Sequence, residues 1–360
     1  MASGGIGFIL SVDDEGCVWA FGDNLCGQLG LGNDENGRED IPRKISELCN
    51  IQSVSCGRSF SLCVSVDGNV WGFGDNSYGQ LGVGKIFGDK VAHPVCIENI
   101  PFIISVHCGY NHSFCISDTH TVFGFGCNKY NQLGIGGSNS KSKPVLLKKT
   151  KNIIDISCGR EYSVFLSSAG EVYMCGTSRN GEFGSGKVGN EIWQFPKRNS
   201  LLKNISQISC GENHTMVLTD SGELYAFGLN SNGQLGIEVS QPHYKPIKVN
   251  ISNISTFNCA CNSTRILLKS GELMYCGEKY WWTLMDYTGR RDESLQLSIL
   301  VENISTFSLN GNQFLVRSKN GDLLFVKYNS GIPCTNMNEY SHIMALPISR
   351  NMAKVKSARK

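Results

Sequence analysis

Sixteen cysteines and seven histidines are the side chains of this 360-residue chain best suited to chemistry. Thiols ligate zinc, attack carbonyls or pair as disulfides, and their spacing separates these uses. No CxxC occurs, and the one close pair, Cys259 and Cys261, has no second Cys or His pair at finger spacing. No metal centre is expected. Met1 to Leu10 has no basic residue and no long apolar core, so it does not read as a secretion signal, and the thiols are expected free. Walker, HExxH and GxSxG patterns are also absent. What the cysteines do instead is recur. Cys56, Cys108, Cys158, Cys210 and Cys259 follow one another at 49 to 52 residues, and Cys63 and Cys115 share a second column. A catalytic thiol has no reason to appear once per repeat, whereas a small buried packing residue does. His112 and His214 share a column with Phe8, Phe60, Tyr162, Ser263 and Gln313. That mixture reads as a bulky packing or hydrogen-bonding position.

The elements that hold these columns repeat throughout. Gly16, Gly68, His120, Gly170, Gly222, Gly271 and Gly321 stand 49 to 52 residues apart, as do Gly22, Gly74, Gly126, Gly176, Gly228, Gly277 and Lys327. Seven copies at one period of this length imply a propeller or a solenoid. Within a copy, Phe60 to Val66 is rich in strand formers, Val66-Asp67-Gly68-Asn69 is a tight turn, and Val70 to Phe73 returns. Ile51 to Ser55 precedes them and Pro94 to Ile97 supplies an outer strand, which makes four short strands per copy. No helical period is sustained. Forty-one glycines against nine prolines fit many tight turns. The chain starts in mid-repeat, with Ser3-Gly4-Gly5 where a later copy has Ser55-Cys56-Gly57. The C-terminal residues 330–360 are therefore expected to complete the first blade and close the ring.

The stretch Phe73-Gly74-Asp75-Asn76-Ser77-Tyr78-Gly79-Gln80-Leu81-Gly82, matched by Phe21 to Gly30 and Phe227 to Gly236, resembles the repeat of the regulator of chromosome condensation family. The resemblance covers residues 3–327, with copies six and seven degenerate. It implies an all-β, closed seven-bladed propeller. Known functions in the family include guanine-nucleotide exchange on a Ran-type GTPase and scaffolding within larger proteins. In exchange-factor members, acidic and histidine side chains at one end of the blades contact the GTPase. Just before the His112 column this chain has Gly7, Ser59, Asn111, Glu161 and Asn213, of which only Glu161 is acidic. That departure counts against exchange activity.

The expectation is one propeller over residues 1–349, with repeats near 3–50, 51–102, 103–152, 153–204, 205–253, 254–303 and 304–349, and a basic tail at 350–360. Its function is expected to be non-catalytic protein binding through inter-blade loops, not enzymatic. The alternative is an exchange factor for a Ran-type small GTPase. Candidate partner-binding residues are Asn111, His112, Glu161, Asn213, His214, Trp281 and Trp282. The last two serve either as interface anchors or as filling where copy six lacks its turn glycines. No cofactor is expected. The net charge of +2 disfavours direct nucleic-acid binding, and no apolar run approaches a membrane span. An intracellular protein, cytoplasmic or nuclear, is expected.

Overall fold

The computed structural model describes residues 2–32, 37–84 and 90–278, and the strand segments 298–301, 304–310, 313–318 and 323–326. All regular structure there is β, and among the described residues no helix is long and apolar enough to cross a membrane. The strands form an all-β propeller of consecutive antiparallel meanders. Blade 2, for example, runs Ile51–Cys56, Phe60–Ser65, Val70–Gly74 and Val91–Cys96, paired in that order. Blades 3, 4, 5 and 6 begin at Ile103–Cys108, Ile153–Cys158, Ile205–Cys210 and Ile254–Ala260.

Two expectations change. Six blades have four strands, not the expected seven; the last repeat enters as a three-stranded sheet, Ile304–Asn310, Gln313–Ser318 and Leu323–Val326. Blade 1 draws all four strands from residues 2–44, its innermost being Ala2–Gly4, so the N-terminus supplies the strand assigned to the C-terminal tail. A strand of three residues was too short to stand out in the sequence pattern. The tail, 330–360, lies outside the described residues. The first strands of successive sheets lie side by side, and contact between Ile304–Asn310 and Ala2–Gly4 closes the circle.

The second strand of a blade is the most deeply placed. Phe60–Ser65, His112–Ser117 and Tyr162–Ser167 are buried at every residue, because both their faces meet neighbouring blades. The apolar core is accordingly divided into clusters between blades. Phe8, Leu10 and Leu29 of blade 1 pack with Val54, Cys63 and Phe73 of blade 2, and the pattern recurs around the ring. Cysteines belong to these clusters, as their once-per-blade spacing implied. The fifteen described cysteines are all free, and Cys334 lies outside the described residues. Burial pushes the thiols of Cys56, Cys210 and Cys259 up to about 12, so at neutral pH they are protonated packing groups.

Candidate interaction face

In each regular blade the first strand ends in Cys-Gly, turns through two residues, and enters the second strand at the His112 column. The turn is fixed from behind. In blade 4 the Thr177 amide donates to the Glu161 carbonyl at 3.0 Å, which brings the third strand directly under the loop. Gly176 makes this possible: its φ is +111°, and a Cβ there would lie 2.4 Å from the Glu161 oxygen. The same bond joins Asp75 to Ser59, Cys127 to Asn111 and Leu229 to Asn213. It explains why glycine recurs in the column of Gly22, Gly74, Gly126, Gly176, Gly228 and Gly277.

The column residue then crosses to the next blade. The Ser163 hydroxyl donates to the Gln132 carbonyl at 2.7 Å, so it must accept from His112 Nε2–H, 2.8 Å away. By the same logic Thr264 donates to Gln234 O at 2.8 Å and accepts from His214 Nε2–H at 3.0 Å. Tyr162 donates to the His214 carbonyl at 2.6 Å and accepts from Thr215 at 3.1 Å. Both imidazoles are fully buried and neutral; burial pushes them down to about 3. Nδ1 of each has no hydrogen-bond partner among the described residues. His112 and His214 therefore sit inside blade junctions, where no partner reaches them. Asn111, Glu161 and Asn213, one residue earlier, are half-buried in the loops of the Cys-Gly face. Glu161 is engaged by Arg179 at 2.9 Å. Trp281 and Trp282 lie outside the described residues.

The side chains that rim the ring stand at the position directly after Cys-Gly. Arg58, Tyr110, Arg160 and Glu212 follow one another from blade 2 to blade 5 around a cavity of about 260 Å³ on the propeller axis. The Arg58 guanidinium lies 4.9 Å from the Tyr110 ring centroid and the Arg160 guanidinium 5.4 Å, both within cation–π reach. Arg160 also approaches Glu212 at 3.8 Å. Backbone bonds tie these loops to one another: Ile6 N–H to Arg58 O, Arg58 N–H to Tyr110 O, Arg160 N–H to Glu212 O, and Glu212 N–H to Cys261 O, all between 2.9 and 3.3 Å. Below the rim, the Cys amides of blades 2, 3, 5 and 6 donate to the Ser3, Ser55, Ser157 and Ser209 hydroxyls of the preceding blades. Blade 3 has His107 in place of that serine. Its Nε2 meets Ser105 Oγ at 3.1 Å, Nδ1 lies 3.8 Å from Asp155, and burial pushes it down to about 4.

The sequence reading did not single out the rim. It inspected the residue before the histidine column, one place too far along. Periodicity could not correct this, because Ile6, Arg58, Tyr110, Arg160 and Glu212 share no residue type beyond two arginines. The sharper signal was adjacency to Cys-Gly, combined with aromatic and arginine side chains in neighbouring copies.

A family model described as the regulator of chromosome condensation (RCC1) repeat matches residues 15–64, 67–116, 119–166, 169–218 and 221–267. Each match begins before the third strand of one blade and ends within or just after the second strand of the next, so every repeat is a covalent link between two blades. The probable E3 ubiquitin-protein ligase HERC6 of Homo sapiens is 35% identical over 233 residues, which cover 63% of this chain and 18% of that protein. The serine/threonine-protein kinase Nek9 of Xenopus laevis is 30% identical over 258 residues, 65% of this chain and 27% of that protein. The crystal structure of Prp20p from Saccharomyces cerevisiae superposes with a TM-score of 0.74 at 21% identity, over 88% of this chain and 81% of that chain, a likeness of fold alone. The expectation that the protein is not an enzyme is corrected by this company. Proteins named as a ligase and as a kinase carry the matching region, and the chain spans 18% and 27% of their lengths.

Proposed function

We propose, from the premise that this chain belongs to the regulator of chromosome condensation repeat family, that it is a recognition propeller holding a protein partner on its Cys-Gly face. The observation that carries this reading is Tyr110 flanked by Arg58 and Arg160 on a rim whose loops are bonded backbone to backbone. Tyrosine and arginine dominate binding hot spots, and a rigid rim loses little freedom on docking. Asn111, Glu161 and Asn213 lie in the same loops and serve as secondary contacts. His112 and His214 support them from beneath.

The exchange-factor alternative draws on Prp20p, whose structure was described with its binding properties to Gsp1p and histones. A small GTPase therefore belongs among the partners tested. To test the reading, a photo-crosslinking residue is placed at Tyr110 or at Val66, which is 53% exposed on the opposite face. Partners from cell extract and purified Ran-type GTPase, nucleotide-free and nucleotide-loaded, should crosslink from position 110. Equal or greater crosslinking from position 66 overturns the proposal. Capture of the nucleotide-free GTPase alone, with faster release of labelled GDP, selects exchange activity.

A further inference from the structure

We infer that the partner segment received at this rim is an acidic peptide, one of whose carboxylates sits between Arg58 and Arg160 above the axial cavity. This rests on the recognition reading and adds its chemistry. The Tyr110 ring of blade 3 lies 4.9 and 5.4 Å from the guanidinium carbons of Arg58 and Arg160, which come from blades 2 and 4 on either side of it at the cavity mouth. A guanidinium over a ring face keeps its N–H edges for hydrogen bonding, and those edges suit a carboxylate fork. Arg58 has no ion-pair partner among the described residues, and Arg160 has only Glu212, at 3.8 Å. Both arginine side chains are exposed while Tyr110 is half-buried, so the cations stand ready at the mouth and the ring braces them. Further out, Lys129 lies 5.8 Å from the Tyr130 ring and also has no ion-pair partner among the described residues. A polyanionic nucleic acid fits less well, because Glu161 and Glu212 stand in loops of the same face as the arginines and would face its phosphates.

The experiment is fluorescence polarisation of the full chain with labelled octa-glutamate, octa-lysine and an eight-nucleotide oligothymidine. Octa-glutamate should bind in preference to both, more weakly as salt rises from 0.1 M toward 1 M, where screening shortens from about 10 Å to about 3 Å. Arg58→Ala with Arg160→Ala should weaken it by about tenfold or more, the weight of one charged hydrogen bond. Glu212→Gln should strengthen it, since Arg160 loses its competing carboxylate. Melting temperatures of the variants should match wild type, because all these side chains are on the surface. Absence of octa-glutamate binding, equal binding of octa-lysine, tighter binding of oligothymidine, or indifference to the double substitution each overturns the inference. None of these outcomes touches crosslinking from Tyr110, so failure here leaves the recognition reading to its own test.

Discussion

In blade 4, Tyr162 spans the gap to blade 5 and exchanges hydrogen bonds with His214 and Thr215. In blade 6 the same register position is Ser263, whose hydroxyl turns back to the Ala260 carbonyl of its own loop. Two residues on, blade 4 buries Val164 opposite Met174, while blade 6 buries Arg265 opposite Tyr275, 5.3 Å from the ring. The third-strand glycine survives in both, as Gly176 and Gly277: a Cβ on Gly277 would lie 2.3 Å from Asn262 O. The bend under the loop is thus a requirement of the single blade, and it persists where the sequence drifts. The bulky column residue is a requirement of the junction, and it is lost where the repeat degenerates. Blade 4 is built to be continued by its neighbour; blade 6 keeps a blade's backbone, but its column residue Ser263 bonds within its own loop.

The largest effect should come from cutting the handhold. Tyr162→Ala removes a fully buried ring together with its hydrogen bonds and should cost about 3–5 kcal/mol. Ser263→Ala should cost less than about 1 kcal/mol, since one local bond is lost. Chemical denaturation of the two variants checks this, and similar losses would break the comparison. Next, Gly176→Ala and Gly277→Ala should both destabilise, by roughly 1–3 kcal/mol, because each forces a side chain into left-handed backbone against a carbonyl. If only blade 4 suffers, the bend is not intrinsic to the blade.

A third effect depends on pH. His112 and His214 are held near about 3 in the folded chain, below the 6.5 of a free imidazole. On acidification the unfolded chain binds protons first, so the stability due to the neutral rings is whole above pH 6.5 and drains away as pH falls toward 3. Each histidine contributes a slope of at most about 1.4 kcal/mol per pH unit. Replacing both with phenylalanine, the residue at position 60 in blade 2, should flatten the profile between pH 6.5 and 4. An unchanged profile would show that the junction opens to admit protons.

These contrasts also mark what was legible in the sequence. The glycine columns carried the fold, because at Gly22, Gly74, Gly126, Gly176, Gly228 and Gly277, one in each four-stranded blade, a positive φ and a close carbonyl leave no room for a side chain. The cysteine columns recur in the same way and were read correctly as packing. The start of blade 1 was misjudged because a three-residue strand leaves almost no pattern. The histidine column announced its bulk but not its direction, since Phe60, His112, Tyr162 and His214 all fit a surface anchor as well as a junction. The rim eluded periodicity altogether. A partner reads one copy differently from the next, so recognition residues are those that do not repeat, and a search for recurrence discards them.

The smallest effect tests that division at three consecutive residues of blade 4. Arg160, Glu161 and Tyr162 differ in placement: Arg160 is exposed, Glu161 is half-buried in the loop against Arg179, and Tyr162 enters the junction. Arg160 and Glu212 are 3.8 Å apart with side chains 49% and 21% accessible, and Arg179 and Glu161 are 2.9 Å apart at 53% and 17%. Pairs this open to water gain little, because solvent screens the attraction and ordering two long side chains costs entropy. Arg160→Ala and Glu161→Ala should each change stability by less than about 1 kcal/mol and shift the melting temperature by no more than about 4 °C, against the large loss from Tyr162→Ala next to them. The Glu161 backbone, which holds the loop through Thr177, is untouched by the substitution. Thermal melts of the three single variants under one buffer decide the matter. Should Glu161→Ala unfold the chain as readily as Tyr162→Ala, its carboxylate belongs to the junction, and the line between the face that recognises and the column that holds must be moved outward by one residue.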